Sequence, residues 1–178
     1  MKKILLLLLI AVSFSGCEKD DICDAATSTT PRLVIECYEF GAITPTDKSV
    51  NKLKAVASGQ IDGVIFDSTL TDASKYLFNG KKILLPLKVT GISGVETTIT
   101  YDLTLNFGEA TANTDTLTIK YFQNNIYVSR ACGYKTLFDL SSTDADILVP
   151  ASDNWIKVIQ IVKSNLENEN EIHVKIYF

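Results

Sequence analysis

The sequence predicts an all-β fold, a single antiparallel β-sandwich of about eight or nine strands, with a β-barrel as the alternative. Three observations carry that expectation. Ile99, Tyr101, Leu103, Leu105 and Phe107 alternate with polar residues from Thr98 onward, a period of two that buries one face and wets the other. Short apolar runs recur between turn residues every eight to twelve positions, the spacing of sandwich strands. Helical periodicity is nearly absent.

Taken in order, Thr27 to Pro31 reads as the end of a linker, since the residue before a proline favours extended backbone. Leu33 to Phe40 is apolar and aromatic at strand length, and Gly41 to Lys48 with Pro45 is a loop. Val50 to Ala57 and Ile61 to Phe66 are strand candidates split by Ser58-Gly59-Gln60, and Thr71 to Phe78 admits one helical turn. Pro86 marks the run Lys82 to Val89 as an edge or bulged strand, because proline cannot donate to a ladder. Leu117, Ile119 and Tyr121 continue the alternation, Gln123-Asn124-Asn125 supplies a turn, and Ile126 to Ala131 follows as another strand. These segments make a meander. Trp155 to Lys163 and Ile172 to Phe178 are the last strands, joined by a polar turn over Ser164 to Glu171.

Ahead of this domain stands a different kind of segment. Met1-Lys2-Lys3 is basic, Ile4 to Val12 is an unbroken apolar run, and Ser13-Phe14-Ser15-Gly16 leads with small residues to Cys17. A nine-residue run is too short for a bilayer, which needs about 20 apolar residues in a helix, so residues 1–16 read as a signal peptide. The segment resembles the lipobox of bacterial lipoproteins, with Phe14 where an aliphatic residue is usual. That resemblance makes Cys17 the lipidated mature N-terminus, while an ordinary secretory signal cut nearby is the competing reading. Acyl chains contribute about 0.8 kcal/mol per buried methylene, enough for several together to hold a protein on a membrane. A membrane β-barrel is disfavoured, because the strands are short and the leader directs lipidation. Glu18-Lys19-Asp20-Asp21 then forms a solvated tether, resembling the short acidic export signal behind the acylated cysteine of Bacteroidota surface lipoproteins. The expected organisation is 1–16 signal peptide, 17–30 anchor and tether, and 31–178 sandwich.

The full chain carries 17 basic and 21 acidic side chains, a net charge of -4 over 178 residues. Losing Lys2 and Lys3 brings it near -6 once the terminal amine is acylated. An acidic domain with two arginines, Arg32 and Arg130, is a poor ligand for nucleic acid, whose binding rests on phosphate neutralisation.

Lipidation of Cys17 leaves Cys23, Cys37 and Cys132, so one disulfide and one free thiol is the simplest count in an oxidising compartment. Cys37 alternates with Leu33 and Ile35 and reads as a small buried hydrophobe. Cys23 and Cys132 lie outside core periodicity; joining them would close a loop of about 110 residues and stabilise by roughly 4 to 5 kcal/mol in the loop-entropy model. A Cys23–Cys37 link is the outcome that would exclude this.

Catalytic and metal chemistry find little support. His173, the sole histidine, is expected on the polar face of the last strand, at the surface or across from a neighbouring strand, and no Gly-x-Ser-x-Gly elbow accompanies it. Asp144, Asp146 and Asp153 share one loop without the spacing of a calcium site. No cofactor is indicated. Arg130, Tyr134, Lys135 and Phe138 gather around Cys132-Gly133 and offer charge and aromatic area to a partner, or else shape that corner structurally.

Cys17 with Asp20-Asp21-Ile22-Cys23, Thr30-Pro31-Arg32-Leu33, Cys132-Gly133-Tyr134-Lys135 with Phe138, and Asn168-Glu169 with His173-Val174-Lys175-Ile176-Tyr177-Phe178 together resemble an uncharacterised family of lipoproteins from flavobacteria and related Bacteroidota. The resemblance implies an address and no activity: the outer membrane, lipid-anchored and cell-surface exposed, with a periplasm-facing site as the alternative. It also supports Cys23 and Cys132 as the paired cysteines. Asp67-Ser68-Thr69 and Asp115-Thr116-Leu117 resemble the O-glycosylation acceptor of Bacteroidota, making Ser68 and Thr116 candidate sites. The expected function is a non-catalytic binding or structural module whose partner is an envelope protein or glycan. A glycan-processing or hydrolytic accessory enzyme and a small-ligand carrier are the alternatives.

Overall fold

The computed structural model describes residues 22–23, 29–141 and 153–178. The leader, Cys17, the acidic tether, Asp144 and Asp146 lie outside the described residues.

Among the described residues ten strands form two sheets: β1 (Leu33–Tyr38), β2 (Val50–Ala57), β3 (Leu77–Gly80), β4 (Lys82–Leu85), β5 (Thr97–Leu105), β6 (Asn113–Ser129), β7 (Gly133–Leu140), β8 (Val158–Ile161), β9 (Asn165–Leu166) and β10 (Val174–Tyr177). One sheet runs β4-β1-β10-β8 and the other β3-β2-β5-β6-β7-β9. They face each other as an all-β sandwich that does not close into a barrel. No α-helix occurs among the described residues.

The core forms where the alternating faces meet. Leu33, Ile35 and Cys37 of β1, with Val174 and Ile176 of β10, oppose Tyr101, Leu103, Leu117, Ile119, Tyr121 and Phe138 in one buried cluster. Full burial of a leucine-sized side chain contributes about 1.5 to 3 kcal/mol. The two core tyrosines keep their hydroxyls satisfied, Tyr101 donating to the Pro86 carbonyl and Tyr121 to the Lys88 carbonyl at 2.8 Å, so the polar tip adds no unmet desolvation. Burial pushes the Tyr121 phenol up to about 12.

Both lateral sides of the sandwich are closed by strands that change sheet. Lys81 alone separates β3 from β4, which lie in opposite sheets, and its carbonyl accepts the Cys37 amide at 2.9 Å. On the other side β8 passes to β9 in the same manner, and the Ser164 carbonyl accepts the Leu140 amide at 2.8 Å. β4 is an edge strand that stops one residue before Pro86, as proline's missing donor requires.

Several elements differ from the sequence reading. Residues 61–66 are loop: Asp62-Gly63 interrupts the run, and the Val64 and Phe66 amides instead donate to Ala55 and Lys75 carbonyls at 2.7 and 2.9 Å. The helical turn is a short 3-10 turn, Ala73–Tyr76, capped by the Asp72 carboxylate on the Ser74 amide. Gln123-Asn124-Asn125 makes no turn. It lies inside the 17 residues of β6, because the Gln123 side chain is buried and tied to Thr90 and Thr97. Its Nε2 donates to both threonine hydroxyls at 2.7 and 3.0 Å, and its Oε1 accepts the Thr90 amide at 2.9 Å. β7 is a full strand where a mixed cluster stood in the sequence, and β9 interrupts the polar segment 164–171 because Leu166 is buried in the core.

The ladders are antiparallel except for β1 and β10, which pair in parallel with Ile35 opposite Val174 and Cys37 opposite Ile176. His173 sits at the start of that pairing and is fully buried, which overturns its placement at the surface. Its Nδ1 accepts the Val34 amide at 3.0 Å and its own amide donates to the Val34 carbonyl at 3.1 Å, so it does bridge to the neighbouring strand.

Candidate functional site

The chain turns between β6 and β7 at Arg130-Ala131-Cys132, beyond the end of the sandwich. The turn is closed by Ser129 Oγ, which accepts the Cys132 amide at 3.0 Å, and Gly133 takes φ +68°, a backbone conformation glycine adopts without Cβ strain. A register shift between Tyr127 and Ser129 adds the local bend of a bulge.

Here the structure joins Cys23 to Cys132, with Cα atoms 4.9 Å apart and a sequence separation of 109. A second contact lies along the same edge. β9 covers β7 only at Phe138 and Asp139, and the Thr136 amide, left without a ladder partner there, donates to Thr30 Oγ1 at 3.0 Å. The segment that leads into β1 is therefore held to the free edge of β7 at two points. A cavity of about 300 Å³ opens between them, lined by the disulfide with Thr29, Thr30, Val128, Tyr134 and Lys135.

Tyr127 and Tyr134 are cross-strand partners whose rings meet edge to face at 5.4 Å. They occupy the inner side of their sheet yet remain 57% and 72% exposed, because the cover ends short of them. The last cover is the loop 88–96, held through Asn125, whose Nδ2 donates to the Gly91 carbonyl at 3.2 Å and whose amide donates to Ser93 Oγ at 3.3 Å. Arg130 is exposed on the turn and Lys135 is half-buried beside the cavity.

Of the four residues singled out for partner contact, Arg130, Tyr134 and Lys135 come together at this turn. Phe138 does not join them. It is fully buried and packs edge to face on Tyr121 at 5.4 Å, because it shares the inward face at a position the second sheet does cover. Tyr127 escaped the sequence reading, although its place in a period-two run with Asn125 and Gln123 was the available signal.

The remaining candidates lie elsewhere. Cys37 is a free, buried thiol pushed up to about 12 by burial. Burial also lowers the His173 imidazole, with Lys163 adding to the effect and Glu171 opposing it; its Nδ1 is occupied by the Val34 amide, which leaves it no role as an accessible base. Ser68 is exposed beside Asp67, whose carboxylate accepts the Thr69 amide at 2.9 Å. Thr116 is half-buried in mid-strand and donates to Asp102 at 2.8 Å. Among the described residues no group of three His, Cys, Asp or Glu side chains is placed to hold a metal ion. A second hollow of about 330 Å³ lies at the opposite end of β1, between the loop 39–45 and Val158 with Tyr177.

A buried carboxylate, which the sequence offered only as part of the acceptor motif around Thr116, fixes the far end. Asp115 Oδ2 accepts the Ile156 amide at 2.7 Å, and burial raises its carboxyl above the usual range against the lowering effect of the Ile156 and Trp155 amides. Trp155 donates through its indole to the Leu103 carbonyl at 3.0 Å and meets Phe178 edge to face.

A family model described as a family of unknown function, DUF6452, matches residues 58–178, more than half of the chain and all strands from β3 onward. The residues around Cys17 and Pro31 precede the matched region. No curated protein and no solved structure matches the chain.

Proposed function

The chain belongs to the family of unknown function DUF6452, and from the leader that precedes Cys17 we propose that it is a lipid-anchored, non-catalytic module of a bacterial envelope, of the kind found on the outer membrane of Bacteroidota. In this reading Cys17 carries the acyl chains, the acidic segment after it is a spacer, and the sandwich presents the β6–β7 turn to another envelope component.

One observation carries the reading. The disulfide from Cys23 ties the segment behind the anchor to the turn where Tyr127, Tyr134, Arg130 and Lys135 stand exposed or lie along a cavity. Exposed aromatic and basic residues beside a preformed hollow are the composition of contact sites. Crosslinking in intact cells through position 134, followed by identification of the captured component, tests it. Capture lost in a Lys135→Ala, Tyr127→Ala double variant of unchanged thermal stability supports the reading; capture that survives that double variant contradicts it.

A further inference from the structure

We infer that the β6–β7 turn rests against the headgroup layer of the membrane that holds the protein, with Tyr127 and Tyr134 as its interfacial contacts. The inference rests on the proposed anchorage at Cys17 and names the partner of the same site.

The geometry follows from chain length. Cys23 is six residues after Cys17, and six extended residues span at most about 20 Å. The Cys23–Cys132 disulfide, with Cα atoms 4.9 Å apart, therefore confines Cys132 to within about 25 Å of the acylated terminus, whatever path the intervening residues take. The opposite end of the sandwich has no such constraint. Asp115 lies far down β6 from Ser129, up to about 45 Å away at roughly 3.3 Å per strand residue, and Trp155 sits at that end, next in the chain to Ile156, whose amide Asp115 accepts. A protein held in this way approaches the bilayer turn first.

The side chains at the turn suit that surface. Tyr127 and Tyr134 present an apolar ring with a polar tip, the combination that favours membrane–water interfaces. Ile22, 83% exposed next to Cys23, and Ile92, 59% exposed in the loop that bonds Asn125, add apolar area around the tyrosines. Arg130 and Lys135 can reach lipid phosphates. The tether acids Glu18, Asp20, Asp21 and Asp24 oppose attraction to an anionic surface, so ring insertion rather than net charge drives the contact. It should hold on zwitterionic lipid and resist salt, which screens charges beyond a Debye length of about 8 Å at physiological strength.

The test uses the full chain, expressed with its leader, purified with its acyl groups and reconstituted in phosphatidylcholine vesicles with brominated acyl chains. Wild type supplies a far-end reporter in Trp155; Tyr134→Trp adds a second indole at the turn, where the native side chain is already exposed. The expected result is loss of emission from the indole introduced at position 134 with little change at Trp155, equal in low and high salt. Equal quenching of both reporters, or of neither, in protein whose mass shows the acyl groups would overturn the inference while leaving the anchor intact. Absence of the acyl mass would instead remove the anchor on which it rests. Crosslinks from position 134 to an envelope protein or glycan and not to lipid would also overturn it.

Discussion

His173 and Val34 exchange two hydrogen bonds across the parallel β1–β10 pair: the histidine Nδ1 accepts the valine amide at 3.0 Å, and the histidine amide donates to the valine carbonyl at 3.1 Å. An accepting Nδ1 places the imidazole proton on Nε2 and requires the neutral ring. Burial lowers the imidazole below its ordinary 6.5, with Lys163 in the same direction and Glu171, the Asn168 backbone and Glu169 against it. The Glu169 carboxylate is itself committed to Arg32 in a two-point ion pair.

This fixes the sign of a pH dependence. The unfolded chain binds the proton more readily than the fold does, so the histidine's contribution is complete above about 6.5 and is lost as pH falls below it. Melting temperature should drop between pH 7 and 5 in wild type and drop less in His173→Gln, whose amide oxygen can take the Val34 amide without titrating. Equal slopes for the two proteins would show that another group sets the acid response.

Removing the disulfide should be costly. A closed loop of this size is worth about 4 to 5 kcal/mol of unfolded-state entropy, and Cys23→Ser with Cys132→Ser should lower the urea midpoint accordingly. A loss under about 1 kcal/mol would mean that the segment is held by Thr30 and the packing around it, with little from the covalent link.

Two neighbours on β7 should behave oppositely. Tyr134→Ala, at an exposed side chain, should leave stability within about 0.5 kcal/mol. Phe138→Ala should cost about 3 to 5 kcal/mol, because it empties a filled core position against Tyr121. Chemical denaturation of both variants checks the pair, and a stable Phe138→Ala would contradict the packing described.

Asp115→Ala should destabilise by about 1 to 3 kcal/mol, the cost of leaving the buried Ile156 amide without its acceptor. Hydrogen exchange at Ile156 gives a local check, expected to accelerate in the variant. Unchanged protection there would mean that the bond contributes nothing.

Much of the sandwich was legible in the sequence because β5 and the first half of β6 bury one face and wet the other, a pattern that a period of two reports directly. What escaped depended on partners distant in sequence. Gln123 and Asn125 have the composition of a turn, but their side-chain bonds to Thr90, Thr97 and Gly91, the Asn125 amide's bond to Ser93 and their pairing with Phe138 and Thr136 of β7 keep them extended. Phe138 and Tyr134 share one face of β7, yet one is core and the other exposed; what separates them is where the cover over that face ends, a length no local pattern encodes. His173 was expected at the surface or across from a neighbouring strand; it is buried, and the parallel neighbour supplies the donor that satisfies its Nδ1.

The proposed acyl anchor at Cys17 is what would bring the β6–β7 turn to the membrane. Mass analysis of the N-terminal peptide from protein extracted from native-host membranes addresses it most directly. The expected result is a peptide beginning at Cys17 and carrying the added mass of acyl chains. A peptide that begins elsewhere, or an unmodified Cys17, would contradict it.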